Sequence, residues 1–158
     1  MAISVRRVTA DDIEVLRTLQ ARPELGLVDK HFEAQNAGSL IFAVAFNDST
    51  PVGTALLDLA GDELVPELRN MYVYPSARRL GAGRALSTFI ESEARAAGYT
   101  AVYLAVDPNN EKAVPLYISL EYHPTGEHIF VEDPEVQQVE GGTPSRHYAV
   151  YKKSLTAR

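Results

Sequence analysis

The stretch Arg78-Arg79-Leu80-Gly81-Ala82-Gly83-Arg84-Ala85-Leu86 joins an apolar strand to an amphipathic helix. Upstream, Leu64 to Tyr74 is rich in Leu, Val, Met and Tyr, and Pro75, which has no N–H for a sheet ladder, closes it. Downstream, Leu86, Phe89, Ile90, Ala94 and Ala97 recur at helical spacing, and Gly98 supplies a left-handed stop. The two glycines therefore mark a strand-to-helix turn with minimal side chains and bare backbone N–H groups. Such a turn, at the positive end of a helix dipole, suits an anion such as a pyrophosphate. Arg78, Arg79 and Arg84 add cationic charge around it. A turn of this kind also arises where glycines only end a strand and cap a helix, so further residues have to agree. Two other phosphate motifs fit poorly. A Walker loop needs Gly-Lys-Ser/Thr where Gly83-Arg84-Ala85 stands, and a dinucleotide fingerprint needs Gly or Ala where Leu86 stands.

With 158 residues, 46% hydrophobic and 23% charged, the chain reads as a single domain over residues 1–158, its core spanning about 3–153. It has no run of about 18 apolar residues, so no membrane span is expected. Met1-Ala2-Ile3-Ser4 leads straight into alternating strand residues, without a secretory apolar segment. The absence of cysteine excludes disulfides, thiolate metal sites and a Cys nucleophile, and fits a cytoplasmic protein. His31, His123, His128 and His147 lack metal-ligand spacing, so no metal is expected. A formal net charge of −6 argues against nucleic acid as a partner, since phosphate contacts need clustered cations. The same charge is compatible with steering of a cationic substrate and with plain solubility.

The remaining elements follow from periodicity and punctuation. Ile3 to Val8 reads as a strand, and Thr9 with Asp12 as a capping box opening a helix that Arg22-Pro23 ends. Residues 24–38 read as loop with one short helix near Asp29 to Ala37. Leu40 to Phe46 and Val52 to Leu59 form a hairpin through Asn47-Asp48-Ser49-Thr50-Pro51, and Gly61-Asp62-Glu63 turns into the strand Leu64 to Tyr74. After a helix over 82–97 comes Ala101 to Val106, an apolar run expected to be covered on both faces. A helix over about 110–120 and strands over Tyr122 to Phe130 and Arg146 to Lys153 complete the chain. Residues 131–145, with Pro134, Pro144 and Gly141-Gly142, read as a mobile loop, either a lid or a solvated connection. The order predicts an α/β fold whose central strand, turn, helix and strand place two parallel strands side by side. Ligands in such sheets bind beyond the carboxyl ends of the strands, here near Tyr74-Pro75 and Val106-Asp107.

Two blocks together resemble the GCN5-related N-acetyltransferase (GNAT) superfamily. Its pyrophosphate signature, Gln/Arg-x-x-Gly-x-Gly/Ala, is matched by Arg78-Arg79-Leu80-Gly81-Ala82-Gly83, and its Asn-x-x-Ala-x-x-x-Tyr helix by Asn110, Ala113 and Tyr117. The likeness covers about Ile3 to Lys153. It implies a mixed, mostly antiparallel sheet with a parallel β4–β5 pair and flanking helices, and acetyl-CoA as acyl donor. It also implies that the amides of Arg79, Leu80, Gly81, Ala82, Gly83 and Arg84, with Arg78, hold the pyrophosphate. By the same likeness the backbone of Met71, Tyr72 and Val73 would pair with the pantetheine arm, and a bulge there would aim one N–H at the acyl carbonyl. Asn110 would contact the arm or cap its own helix. The family's helix closes with Tyr-x-x-x-Gly-Phe; here Tyr117-Ile118-Ser119-Leu120-Glu121-Tyr122 puts Glu121 at the glycine position, which casts doubt on the cap geometry.

The implied reaction is direct transfer of an acetyl group from the thioester to a primary amine on a small molecule or peptide. Tyr117 would act as general acid or stabilise the thiolate by a hydrogen bond, or serve only as core. Glu67, eleven residues before Arg78, would act as base directly or through water, or stand as an edge charge paired with Arg69. His128 and Tyr72 are weaker substitutes for that role. A non-catalytic acyl-CoA-binding sensor is the alternative. Residues 24–38 and 131–145 would line the acceptor pocket, and Glu33, Glu132, Asp133, Glu135 and Glu140 hint at a cationic acceptor. An exposed C-terminal strand is expected to be a pairing edge for a homodimer.

Overall fold

Two adjacent runs of apolar residues that alternate sides form the centre of the sheet. In the computed structural model, which describes residues 3–61, 63–77, 79–110, 112–131 and 147–156, β2 (Leu40–Asn47) and β3 (Thr50–Asp58) pair as an antiparallel hairpin. Ile41, Ala43 and Ala45 point to one face, and Phe42 and Val44 to the other. Because side chains alternate along a strand, one strand thereby feeds two cores. β1 (Ile3–Arg7) adds antiparallel to β2, and β4 (Glu67–Val73) antiparallel to β3. Beyond β4 lie β5 (Ala101–Val106), β7 (His147–Ser154) and β6 (His123–Phe130), giving one sheet in the order β1-β2-β3-β4-β5-β7-β6. Among the described residues only β4 and β5 run parallel, and every other pair is antiparallel. The sheet expected from sequence is the one observed.

Helices cover both faces. α1 (Ile13–Leu19) and α2 (Leu27–Asn36) close the smaller core around Val8, Leu16, Val28, Phe42, Leu56 and Tyr74. α3 (Ala82–Ala96) and α4 (Ala113–Ser119) close the larger one, where Leu86 and Ile90 are fully buried against Leu57, Leu68 and Val102. The middle of α3 is tied down by a buried carboxylate. Glu91 accepts from the Tyr122 hydroxyl at 3.0 Å and from Lys153 Nζ at 3.0 Å, so its charge is paired as burial requires. Gln35 of α2 spans a gap between strands, donating to the Val8 carbonyl (2.9 Å) and accepting from the Phe42 N–H (2.8 Å). No described helix is long and apolar enough to cross a membrane.

Several boundaries differ from the sequence reading for physical reasons. β4 starts at Glu67 rather than Leu64, because Pro66 has no N–H to extend the ladder. α2 starts at Leu27, two residues early, because Gly26 turns left-handed after the short turn Pro23–Leu25. α4 begins at Ala113, since Asn110 Oδ1 occupies the preceding amides of Lys112 and Ala113. β5 buries Val102, Leu104 and Val106 on one face, but its other face, with Tyr103, is only half-covered; Lys152 lies over that ring instead of a helix. β7 is flanked by β5 and β6, so the expected pairing edge is not the C-terminal strand; among the described residues the edge strands are β1 and the exposed β6. Arg146 and the acidic loop over 132–145 lie outside the described residues.

The Glu121 cap is resolved by a complete Schellman motif. Tyr122 N–H reaches the Tyr117 carbonyl (3.0 Å), Glu121 N–H reaches the Ile118 carbonyl (3.0 Å), and Glu121 sits at φ 73°. Glutamate thus occupies a conformation that glycine takes without steric cost. Glu121→Gly should stabilise the protein by about 1 kcal/mol, read as a Tm rise of about 2–4 °C in calorimetry. An unchanged or lower Tm would contradict this account of the cap.

Candidate functional site

The turn before α3 has the backbone of an anion cradle. Arg79 (φ 71°) and Gly81 (φ 83°) both stand in the left-handed region, and α3 begins at the next residue. Alternation of left-handed and right-handed residues turns successive N–H groups to one side, forming a nest. The first intrahelical bond is from Ala85 N–H to the Gly81 carbonyl at 3.1 Å, so the amides of Ala82, Gly83 and Arg84 precede the helical ladder. Helices usually place Asp or Glu in this turn, but α3 has none there and no side-chain cap. The positive end of its dipole therefore carries no acidic side chain of its own helix. Arg84 is exposed and donates to Ser119 Oγ at 3.2 Å, linking α3 to α4. Leu80 packs partly into the larger core, and Arg78 lies outside the described residues.

The two glycines do different work. A Cβ at Gly81 would meet nothing within 4 Å, so that position is fixed by its φ alone. A Cβ at Gly83 would stand 3.3 Å from Leu116 Cδ2 and 3.5 Å from Met71 Sδ. Gly83 is therefore where α3, α4 and β4 converge. On α4, Tyr117 is buried, with its ring edge-on to Tyr122 at 6.1 Å between centroids. Burial pushes its phenol up to about 12. Asn110 is buried and does cap the helix start, its Oδ1 accepting from Ala113 N–H at 2.9 Å.

β4 carries the bulge. Leu56 pairs with Arg69 and Thr54 with Tyr72, so Asn70 and Met71 together face the single residue Ala55. Asn70 takes φ 53°, a conformation that asparagine tolerates better than most residues. On the other side, the parallel ladder to β5 has one registered pair, Glu67 with Tyr103, and does not continue toward the carboxyl ends. The strand segment Met71-Tyr72-Val73 thus borders β5 without a ladder. That is the geometry needed to accept an extended amide chain as an added strand. Gly53 presses against the same segment from β3; a Cβ there would come within 2.8 Å of the Tyr72 carbonyl oxygen.

The bulge divides β4 between two faces. Leu68, Met71 and Val73 turn toward α3, while Arg69, Tyr72 and Tyr74 turn toward α1 and α2. Glu67 lies opposite Asp58 and so shares the second face. Its carboxylate is 3.9 Å from Arg69 Nε, and Arg69 also donates to Asp58 Oδ2 at 2.8 Å. Glu67 neighbours Arg69, as one sequence reading had it, but it is not an exposed edge charge, since only 16% of its side chain is exposed. Of the substitutes, His128 stands on the exposed strand β6, away from this face, and Tyr72 lines a cavity beside the bulge. Sequence reasoning missed Asn70 and Gly53. An asparagine inside an apolar strand is the signal that would have found the bulge. Among the described residues, no group of three or more His, Asp or Glu side chains could hold a metal ion.

A family model described as the acetyltransferase (GNAT) family matches residues 9–122. No curated protein matches the chain in sequence. Among solved structures, an N-acetyltransferase from Staphylococcus aureus Mu50 aligns with a TM-score of 0.74 at 17% identity, over 99% of this chain and 100% of that one. The ribosomal-protein-S18-alanine N-acetyltransferase from Escherichia coli gives 0.71 at 17% identity, over 99% and 96%. PaiA N-acetyltransferase from Thermoplasma acidophilum, in complex with coenzyme A, gives 0.66 at 16% identity, over 98% and 99%. At these identities the likeness is one of fold.

Glu67 gives the site a pH signature. Desolvation by burial raises its carboxyl to about 7, against a lowering by Arg69 and further raising by Asp58 and Glu63. A carboxyl raised in the folded state favours folding when protonated. That contribution is full below pH about 4.5 and is lost as pH rises through about 7. Glu67→Gln, neutral throughout, should therefore gain Tm relative to the parent protein between pH 5 and pH 8, by several degrees in thermal melts. A constant difference across that range would mean that the carboxyl is not desolvated.

Proposed function

We propose, on the premise that the chain belongs to the acetyltransferase (GNAT) family, that it transfers an acetyl group from acetyl-CoA directly to a primary amine. The observation that carries this reading is the convergence at Gly83. There the uncompensated first turn of α3, the bulged strand β4 and the helix bearing Tyr117 come together. The cradle fits a diphosphate by its chemistry: consecutive amides, a left-handed Gly81, no carboxylate in the helix turn, and Arg79 and Arg84 alongside. The amides of Arg79 to Arg84 would hold the diphosphate, and the backbone of Met71 to Val73 the arm that hangs from it. Asn110 contributes by fixing the start of α4, which sets where Tyr117 stands. Acetyl-CoA bound there supplies an activated acyl group in the form of a thioester.

Three tasks fall to the chain. The amide at the Asn70–Met71 bulge is a fixed donor for developing negative charge on the acyl oxygen, and it needs no reorganisation as the charge appears. Glu67, held near 7, accepts a proton from the incoming ammonium, directly or through one water. Tyr117, held near 12, keeps its proton at physiological pH. Thiols ionise near 8.5, so full proton transfer from such a phenol to a thiolate is uphill. Tyr117 therefore serves as a hydrogen-bond donor to the departing sulfur. The acceptor amine can belong to a small molecule or to a peptide, as in the E. coli relative named for a ribosomal-protein alanine.

Gly81→Glu should abolish acetyl-CoA binding in titration calorimetry, because it sets bulk and negative charge in the cradle; unchanged affinity would remove the cradle from the site. Tyr117→Phe should lower kcat by about 10- to 100-fold with little change in acetyl-CoA affinity. With an acceptor in hand, kcat/KM should rise with pH through about 7, and Glu67→Gln should flatten that limb. Tight acetyl-CoA binding without turnover of any amine would instead favour a non-catalytic acyl-CoA sensor.

A further inference from the structure

On the α1–α2 face of the sheet, a cavity of about 40 Å³ lies between the two helices and strands β2 to β4. That volume has room for a group of a few heavy atoms. Its floor is the outer side of the bulge: Asn70 and Tyr72 flank Met71 and both line the cavity, while the Met71 side chain faces α3. Its walls are aromatic and aliphatic, including Phe42, Tyr74 and Leu27. Its polar members are engaged within the protein. Gln20 accepts from Val28 N–H at 3.4 Å, and Thr54 bonds the Tyr74 hydroxyl. His31 stands edge-on to Phe42 at 5.6 Å. Among the described residues, no Asp, Glu, Lys or Arg lines it. Glu33, which hinted at a cationic acceptor, is exposed and is not part of the lining.

We infer that this cavity receives a compact apolar substituent of the acceptor, so that the acceptor class is a primary amine carrying a short branched aliphatic group rather than a polyamine. The inference rests on the acetyltransferase reading above and specifies its second substrate. The charge argument is direct. A second ammonium buried among walls without a carboxylate would lose its hydration and gain no counter-ion there, whereas a branched alkyl group gains by leaving water. The placement argument is that Asn70 and Tyr72 belong to the same bulge as Met71. Glu67 lies on the same face of the same strand, three residues before Asn70. An amine whose substituent fills the cavity is thereby held beside both the proposed base and the proposed acyl site.

The test compares isobutylamine, isopentylamine and leucinamide with putrescine and spermidine, with acetyl-CoA at saturation, reading CoA thiol release and product mass. The apolar amines should exceed the polyamines in kcat/KM by at least about tenfold, the range that hydrophobic pockets reach for a few methylenes. Leu27→Asp, which sets a carboxylate in the wall at a helix N-terminus that tolerates it, should raise KM for the apolar amines about tenfold or more with kcat nearly retained. It should also narrow their advantage over putrescine, and leave acetyl-CoA affinity unchanged in calorimetry. Polyamines preferred by the parent protein, or a ranking that Leu27→Asp does not move, would overturn the inference and leave the acetyltransferase reading standing. Acetyl-CoA binding with no amine of either set acetylated would overturn the inference and favour the non-catalytic acyl-CoA sensor. Failure to bind acetyl-CoA at all would overturn both, and calorimetry separates that case from the others.

Discussion

A parallel pair of strands that stops pairing after one residue is the constraint on which this molecule is organised. Once β4 and β5 have met at Glu67 and Tyr103, their ladder ends, and the backbone of Met71 to Val73 borders a gap inside a seven-stranded sheet. Tyr72 and Val73 pair with Thr54 and Gly53 of β3 on one side, while no registered pair with β5 continues past Glu67. An extended chain of amides is what such a gap fits. The bulge at Asn70 and Met71 sits at the mouth of that gap, and the first turn of α3 at its outer end. The proposed site is therefore chiefly a backbone device. Few of its contacts depend on side-chain identity, which is consistent with folds so alike at 17% identity.

What remains to side chains is placement. Gly83 lets three elements approach closely, Gly53 lets β3 press on β4, and Asn110 sets the first turn of α4. The anchor of α3 lies two turns past its first residues, where Glu91 joins Tyr122 and Lys153. That buried pairing immobilises the body of the helix, so its first turn projects from a fixed support. Preorganised donors are effective because nothing has to move when charge appears.

Much of this was legible in the sequence. The order of strands and helices followed from periodicity, and the cradle from Arg79 to Arg84 followed from two glycines between a strand and a helix. Those signals are local, and local structure answers to them. The bulge was implied by family resemblance, but its cause, Asn70 in a left-handed conformation, went unread because the surrounding letters spell an ordinary strand. The beginning of β4 was misread for a related reason: apolar Leu64 and Val65 look like strand, yet Pro66 fixes where pairing can start. The C-terminal strand was taken for an edge because sheet order is a long-range property that no local pattern encodes. The cavity was invisible for the same reason, since its lining comes from five elements spread between Leu16 and Tyr74. Glu121 is the reverse case: the sequence raised a doubt, and the chain met it by adopting the conformation regardless.

The alternation of β4 between two cores has a further consequence. Residues that face α3 share almost no neighbours with those that face α1 and α2, because the sheet itself separates them. Changes on the two sides should then combine additively, as they do between sites without common contacts. On the proposed reading, the half that would hold acetyl-CoA can stay fixed while the half that would select the acceptor is recut. A lineage built on this plan can exchange its clientele one wall at a time without remaking its engine.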